Sequence, residues 1–209
     1  MTAGRVEHRE QPVLDDSKPE MGRGDSVGET IIERAEALKK VMQEAIAETE
    51  KQGGMRAVFR SSVQLKKNTT VEATARQFHF TMDEPSDDGG EDNGPTPEEV
   101  ILAGVGACTA MTAAFYAALN DIPIKSYRID MKGYANFGGF YGVSDTFPVG
   151  FDRVVTDVSI ETDAPEEQVK QFQEMVEQRC VGHGTMMQPV AMESRWKING
   201  KPVEGPTGQ

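Results

Sequence analysis

Apolar residues along the first part of the chain fall at helical spacing. Ile31, Ala35, Leu38, Met42 and Ala45 recur three or four positions apart, with polar residues between them. Ser26 and Glu29 precede the run three residues apart, as in a capping box, and Gly53-Gly54 closes it, so the pattern predicts an amphipathic helix within residues 28–54. The period then changes. Residues 57–65 and 71–82 are rich in β-branched and aromatic side chains, and Phe78, Phe80 and Met82 alternate with Gln77, His79 and Thr81, the period of a half-buried strand. Asp83 to Gly94 reads as an acidic loop closed by Gly94-Pro95-Thr96-Pro97. Thr96 suits an N-cap, Pro97 the first helical position, and Glu99 the capping-box partner. From Val100 to Leu119 the residues are apolar or small on every side, which predicts a buried central helix, ended by Asn120 to Pro123.

Strand alternation returns at residues 124–135 and 153–161, separated by a long loop, 137–151, with exposed aromatics. Asp163-Ala164-Pro165-Glu166 opens a second helix with Val169, Phe172 and Val176 on one face and Cys180 near its end. Met192, Ser194, Trp196 and Ile198 mark a last strand. Strands flanking two separated helices argue for an α+β domain with antiparallel sheet, here over residues 55–204. Residues 1–27 mix charges, Pro and Gly with almost no large apolar side chains and read as a disordered tail.

Length and charge narrow the function. At 209 residues the chain suits one domain, or one domain with an appendage. The net charge of −12 lacks the basic footprint of a nucleic-acid binder, and anionic membranes are equally poor partners. Nine acids and no Lys or Arg lie between Gln77 and Ile124, which reads as a solvated acidic loop. No apolar run reaches the roughly 18 residues of a membrane span, and the polar first residues carry no apolar leader, so a cytoplasmic location is expected.

Two cysteines cannot build a disulfide scaffold of the secreted kind. Cys108 lies midway along the apolar helix and Cys180 at the end of the second. Taken alone, both can be buried packing residues. A zinc site lacks a second ligand pair beyond Cys180 and His183. The sharper alternative is a redox pair, in which one thiolate opens a peroxide O–O bond to become a sulfenic acid and the other condenses with it to a disulfide.

The run from Asp83-Glu84-Pro85 through Gly89-Gly90 and Asp92 to Gly94-Pro95-Thr96-Pro97-Glu98-Glu99, the helix from Leu102 to Met111, and the block Cys180-Val181-Gly182-His183 resemble the OsmC/Ohr family of thiol-dependent hydroperoxide reductases. The resemblance covers about residues 55 to 200. It implies an OsmC-like intertwined homodimer, with antiparallel sheets around two long buried central helices and a redox site at each end of the interface. It further implies that Cys108 is the peroxidatic and Cys180 the resolving cysteine of a peroxidase acting on small organic hydroperoxides. A dithiol such as dihydrolipoamide, or a small thiol, would regenerate the pair, with no metal or flavin. In the family an arginine and a glutamate complete the site from the partner subunit. Here the supporting carboxylate would be Glu98, or Glu99 in the branch that carries the Asp-Glu-Pro block, and the cation one of Arg60, Lys66, Lys67 or Arg76. Glu98 and Glu99 can equally serve the helix start alone. His183 would assist the resolving thiol or brace its loop. A different class of function, a non-catalytic protein binding a small hydrophobic ligand, stands as the alternative.

Overall fold

In a computed structural model the described residues run from 30 to 203. The expected polar tail at 1–27 and the Ser26/Glu29 pair lie outside them. The first helix, α1, spans Ala35–Gln52 and has no side-chain cap, its N-cap position being Arg34. The preceding residues are pinned instead by Thr30 Oγ1 and the Ile31 N–H, both donating to the Ile124 carbonyl at 2.9 Å. Gly53 ends the helix with φ +68°, a left-handed conformation glycine adopts without strain.

A three-stranded antiparallel sheet follows, β1 (Ser62–Lys67), β2 (Thr70–Ala75) and β3 (Phe78–Met82). The expected single strand over 71–82 is two strands joined by a tight turn at Arg76-Gln77, with Arg76 at φ +57°. Cross-strand partners share a face, so Val63, Ala73 and Phe80 line one side together with Leu65, Val71, Met82, Ala75 and Phe78. The other side carries Gln64, Glu72, Thr74, His79 and Thr81. Among the described residues the apolar side is largely bare: Val63, Leu65, Phe78 and Phe80 are all exposed.

The central helix α2 (Pro97–Leu119) starts as its sequence predicts. Thr96 Oγ1 accepts from the Glu99 N–H at 3.3 Å and the Glu99 carboxylate accepts from the Thr96 N–H at 2.9 Å. Strands β4 (Ser126–Ala135) and β5 (Phe151–Glu161) form a long hairpin. Helices α3 (Glu166–Arg179) and α4 (Val181–Met186) come next, then a short hairpin of β6 (Trp196–Ile198) and β7 (Lys201–Val203). Ile32, Ala113, Ala117, Ile122, Ile124, Phe172 and Val176 make the core where α1, α2 and α3 meet the start of β4, with Leu38 packed against it.

The expectation that α2 is buried all round holds on one side only. Gly106, Thr109, Ala113, Ala117 and Ala118 are buried, whereas Ile101, Gly104, Ala107 and Met111 form an exposed stripe at helical spacing. A Cβ added at Gly104 would meet nothing within 4 Å. By length and composition α2 would also suffice to cross a membrane: it has 23 residues, and a stretch of 18 of them has a mean hydropathy of 1.7, against the expectation that no apolar run reaches that length. It packs against α1, α3, α4 and β4, as the core helix of a globular domain does.

Candidate active site

The cysteines are 72 positions apart in sequence, and the turn between α3 and α4 brings them together. Cys180 leaves the α-helical region at φ −72°, ψ 120°, ends α3 and caps α4, its sulfur accepting from the His183 N–H at 3.4 Å. The same turn lays the Gly182 N–H 3.3 Å from Cys108 Sγ on α2. Both thiols are free, and they lie close enough for each to bear on the other's ionisation. Cys180 is buried, 3% exposed, whereas Cys108 is half-buried. The sulfur open to an incoming molecule is therefore Cys108.

The two sulfurs ionise differently. Burial pushes the Cys108 thiol up and Cys180 adds to the rise, while the Gly182 and Val181 N–H groups only partly oppose it. Burial also acts on Cys180, but the His183 N–H, the Thr109 hydroxyl and the Cys108 thiol together outweigh it and hold Cys180 below the usual cysteine range. Of the two sulfurs, Cys180 is therefore the one that gives up its proton more readily.

Among the remaining sequence-predicted residues, His183 joins the site through its backbone, as the donor to Cys180. Glu99 is occupied in the capping box, and Glu98 stands beside it in the first turn of α2. Cys108 is ten residues further on, roughly 15 Å along the helix axis, so neither carboxylate meets a thiol within one chain. Of the candidate cations, Lys66 pairs with Glu72 at 2.7 Å, Lys67 with Glu91 at 2.5 Å, and Arg76 lies over the Phe78 ring at 5.1 Å. Arg60 is exposed in the segment before β1. His79 shares a hydrogen bond with Thr74 on the polar side of the first sheet.

Two residues of the site had not been singled out from the sequence. Gly182 is in contact with Cys108, and Thr109 places its hydroxyl 3.3 Å from Cys180 Sγ. The signal for Thr109 was available: it and Thr112 are the hydroxyls that interrupt an otherwise apolar helix beside a cysteine. A buried carboxylate was also passed over. Asp83, 1% exposed, accepts from the Thr69 and Thr70 hydroxyls, the Glu84, Glu91 and Asn93 N–H groups and the Asn93 side-chain amide. It ties the β1–β2 turn to the acidic loop that leads into α2.

Comparison with known proteins agrees with this architecture. Residues 89–195, just over half of the chain, match the family described as OsmC-like protein. A hydroperoxide reductase of Mycoplasma genitalium is 28% identical over 122 residues, which cover 58% of this chain and 82% of that protein. The crystal structure of an OsmC-like protein from Mycoplasma pneumoniae superposes with a TM-score of 0.57 at 22% identity, covering 64% of this chain and 89% of that one. An OsmC-like protein of unknown function from Vibrio cholerae gives 0.52 at 13% identity, covering 62% and 94%. The α+β fold with its antiparallel sheets and the match spanning both cysteines lead to one assignment: the chain belongs to the OsmC-like family.

Proposed function

We propose that this protein is a thiol-dependent peroxidase that reduces small organic hydroperoxides through Cys108, with Cys180 resolving the oxidised intermediate. The observation that carries the reading is that the turn between α3 and α4 brings a half-exposed thiol and a buried, more acidic one into one site, with the Gly182 N–H on the first sulfur and the His183 N–H on the second. The hydroperoxide reductase relative supports the same chemistry. Cys108 sulfur attacks the terminal peroxide oxygen and passes its proton to Cys180. The O–O bond breaks, an S–O bond forms, and the departing alkoxide takes a proton from water. Cys180 then attacks the sulfenic acid, forming the S–S bond and releasing water with its own proton. A dithiol such as dihydrolipoamide restores both thiols, and the cycle needs neither metal nor flavin.

The working unit would be a cytoplasmic homodimer, whose second copy covers the α2 stripe and brings a cation, one of Arg60, Lys66, Lys67 or Arg76, to the thiols, oriented by Glu98 or Glu99. Such a cation would draw the charge toward Cys108. The experiment is a stoichiometric reaction with cumene hydroperoxide followed by intact mass. Wild type should become two hydrogens lighter through a Cys108–Cys180 bond within one chain. Cys180→Ala should stop at a sulfenic acid trappable on Cys108, and Cys108→Ala should not react. Persistence of both thiols in the wild type would leave the protein to the binding reading.

A further inference from the structure

We infer that Thr109 is the positioning residue of the disulfide step, turning its one hydroxyl proton from the Val105 carbonyl to the Cys180 sulfur when that sulfur must react as a thiolate. The reaction it serves rests on the peroxidase reading, whereas the hold of the hydroxyl on Cys180 does not.

The geometry leaves the hydroxyl two choices. Thr109 Oγ1 lies 3.1 Å from the Val105 carbonyl oxygen, one turn back on α2, and 3.3 Å from Cys180 Sγ. With a single proton it can donate to only one of them. While Cys180 is a thiol, the hydroxyl donates to Val105 and accepts the S–H. Once Cys180 has lost its proton, the sulfur has nothing to donate and is short of donors, and the hydroxyl gains by turning toward it. Thr109 is 4% exposed and Cys180 3%, so water is not at hand to replace either bond. The His183 N–H at 3.4 Å is fixed by the α4 backbone and serves both states alike. The Thr109 hydroxyl is a partner that can change sides, and it lies in hydrogen-bond reach of the sulfur, whereas the Thr112 hydroxyl, which also bears on Cys180, is bonded to the Cys108 carbonyl at 2.8 Å. Thr109 also helps to hold the Cys180 thiol below its usual range, together with the larger contribution of His183.

In the disulfide step the Cys180 sulfur attacks the Cys108 sulfenic sulfur, the S–O bond breaks, and the proton of Cys180 leaves with the hydroxide as water. A hydroxyl already turned to the sulfur stabilises the charge that builds on it as that proton departs.

The titratable groups facing Cys180 are Cys108 from α2 and Tyr127 from β4, with Glu177 of α3 beside it, while His183 of α4 meets it through the backbone N–H. Cys108→Ser removes the first and makes Cys180 the sole cysteine. In that background thiolate absorbance at 240 nm, taken as the difference from the protein lacking both cysteines, reads the Cys180 midpoint directly. Thr109→Val should raise the midpoint by about one pH unit, a roughly tenfold change, while Thr109→Ser should leave it in place. With Cys108 restored, cumene hydroperoxide in single turnover should show Thr109→Val slowing disulfide formation about tenfold relative to sulfenic acid formation, with rescue by Thr109→Ser. An unchanged midpoint in Thr109→Val, or equal shifts in the Val and Ser variants, overturns the inference. A wild type that forms no disulfide overturns the peroxidase reading and the catalytic role with it, and the titration still decides whether Thr109 governs Cys180.

Discussion

Gly182 has no side chain, and its position requires that. A Cβ there would stand 2.9 Å from Cys108 Cβ, 3.3 Å from its sulfur and 3.4 Å from Val105 Cα. Gly182→Ala should therefore push α4 away from α2 and separate the thiols. The expected result is a folded protein whose Cys108–Cys180 bond forms about tenfold to a hundredfold more slowly by timed intact mass. Asp83 gives a prediction of the opposite kind, affecting the fold rather than the chemistry. The Thr69 and Thr70 hydroxyls and the loop N–H groups hold its carboxyl well below the usual carboxylate range, against the pull of burial. A depressed value in the folded chain means that its stabilisation is complete above about pH 4, where the unfolded carboxyl is also ionised, and is lost as acid titrates below that. Asp83→Asn turns an amide toward donors that need an acceptor. The thermal midpoint at neutral pH should drop by about 5 °C, and the acid sensitivity should flatten. Neither role was legible in the sequence, because a glycine and an aspartate look alike in every loop until the partner segment is in place.

At the scale of elements, the strongest local signals were the most faithful. The Thr96-Pro97-Glu98-Glu99 start of α2 and the Gly53 end of α1 stand where the sequence puts them, since each is decided by bonds between near neighbours. The Arg76-Gln77 turn was missed because no glycine or asparagine marks its left-handed residue, and the pairing of Ala75 with Phe78 imposes it instead. The start of α1 was misplaced for a related reason. Thr30 and Ile31 are held by the Ile124 carbonyl, 94 residues away from Thr30, and no local pattern carries that bond. This also settles where α1 lies. Its beginning packs on the chain's own core through Ile32, Ala35 and Leu38, and Lys39 meets Asp121 at 2.6 Å. Removing residues 1–54 would therefore open the core as well as remove an appendage. Ile32→Ala isolates that contribution. It should lower the unfolding free energy in urea by about 2 to 3 kcal/mol, and a change within about 0.5 kcal/mol would show that the contact contributes little.

For the whole molecule, the exposed α2 stripe and the bare apolar side of the first sheet are more hydrophobic surface than one chain in water keeps uncovered. Sedimentation at low micromolar concentration should give twice the chain mass of 22.9 kDa, and Met111→Lys should weaken association at least about tenfold. A folded wild-type species of single-chain mass would refute the dimer. The sequence made α2 legible as apolar on every side, but not which side a neighbour within the chain covers and which stays exposed. The stripe also acts against a second property of the chain. Each copy carries a net charge of −12, so two copies repel at a distance and attract only on contact. At an ionic strength of 0.15 M the repulsion is confined to a Debye length of about 8 Å, and at 0.01 M it reaches about 30 Å. Many complexes between charged proteins loosen as salt is added; this one would assemble faster and hold more tightly, because the ions quiet the only force that keeps the two stripes apart.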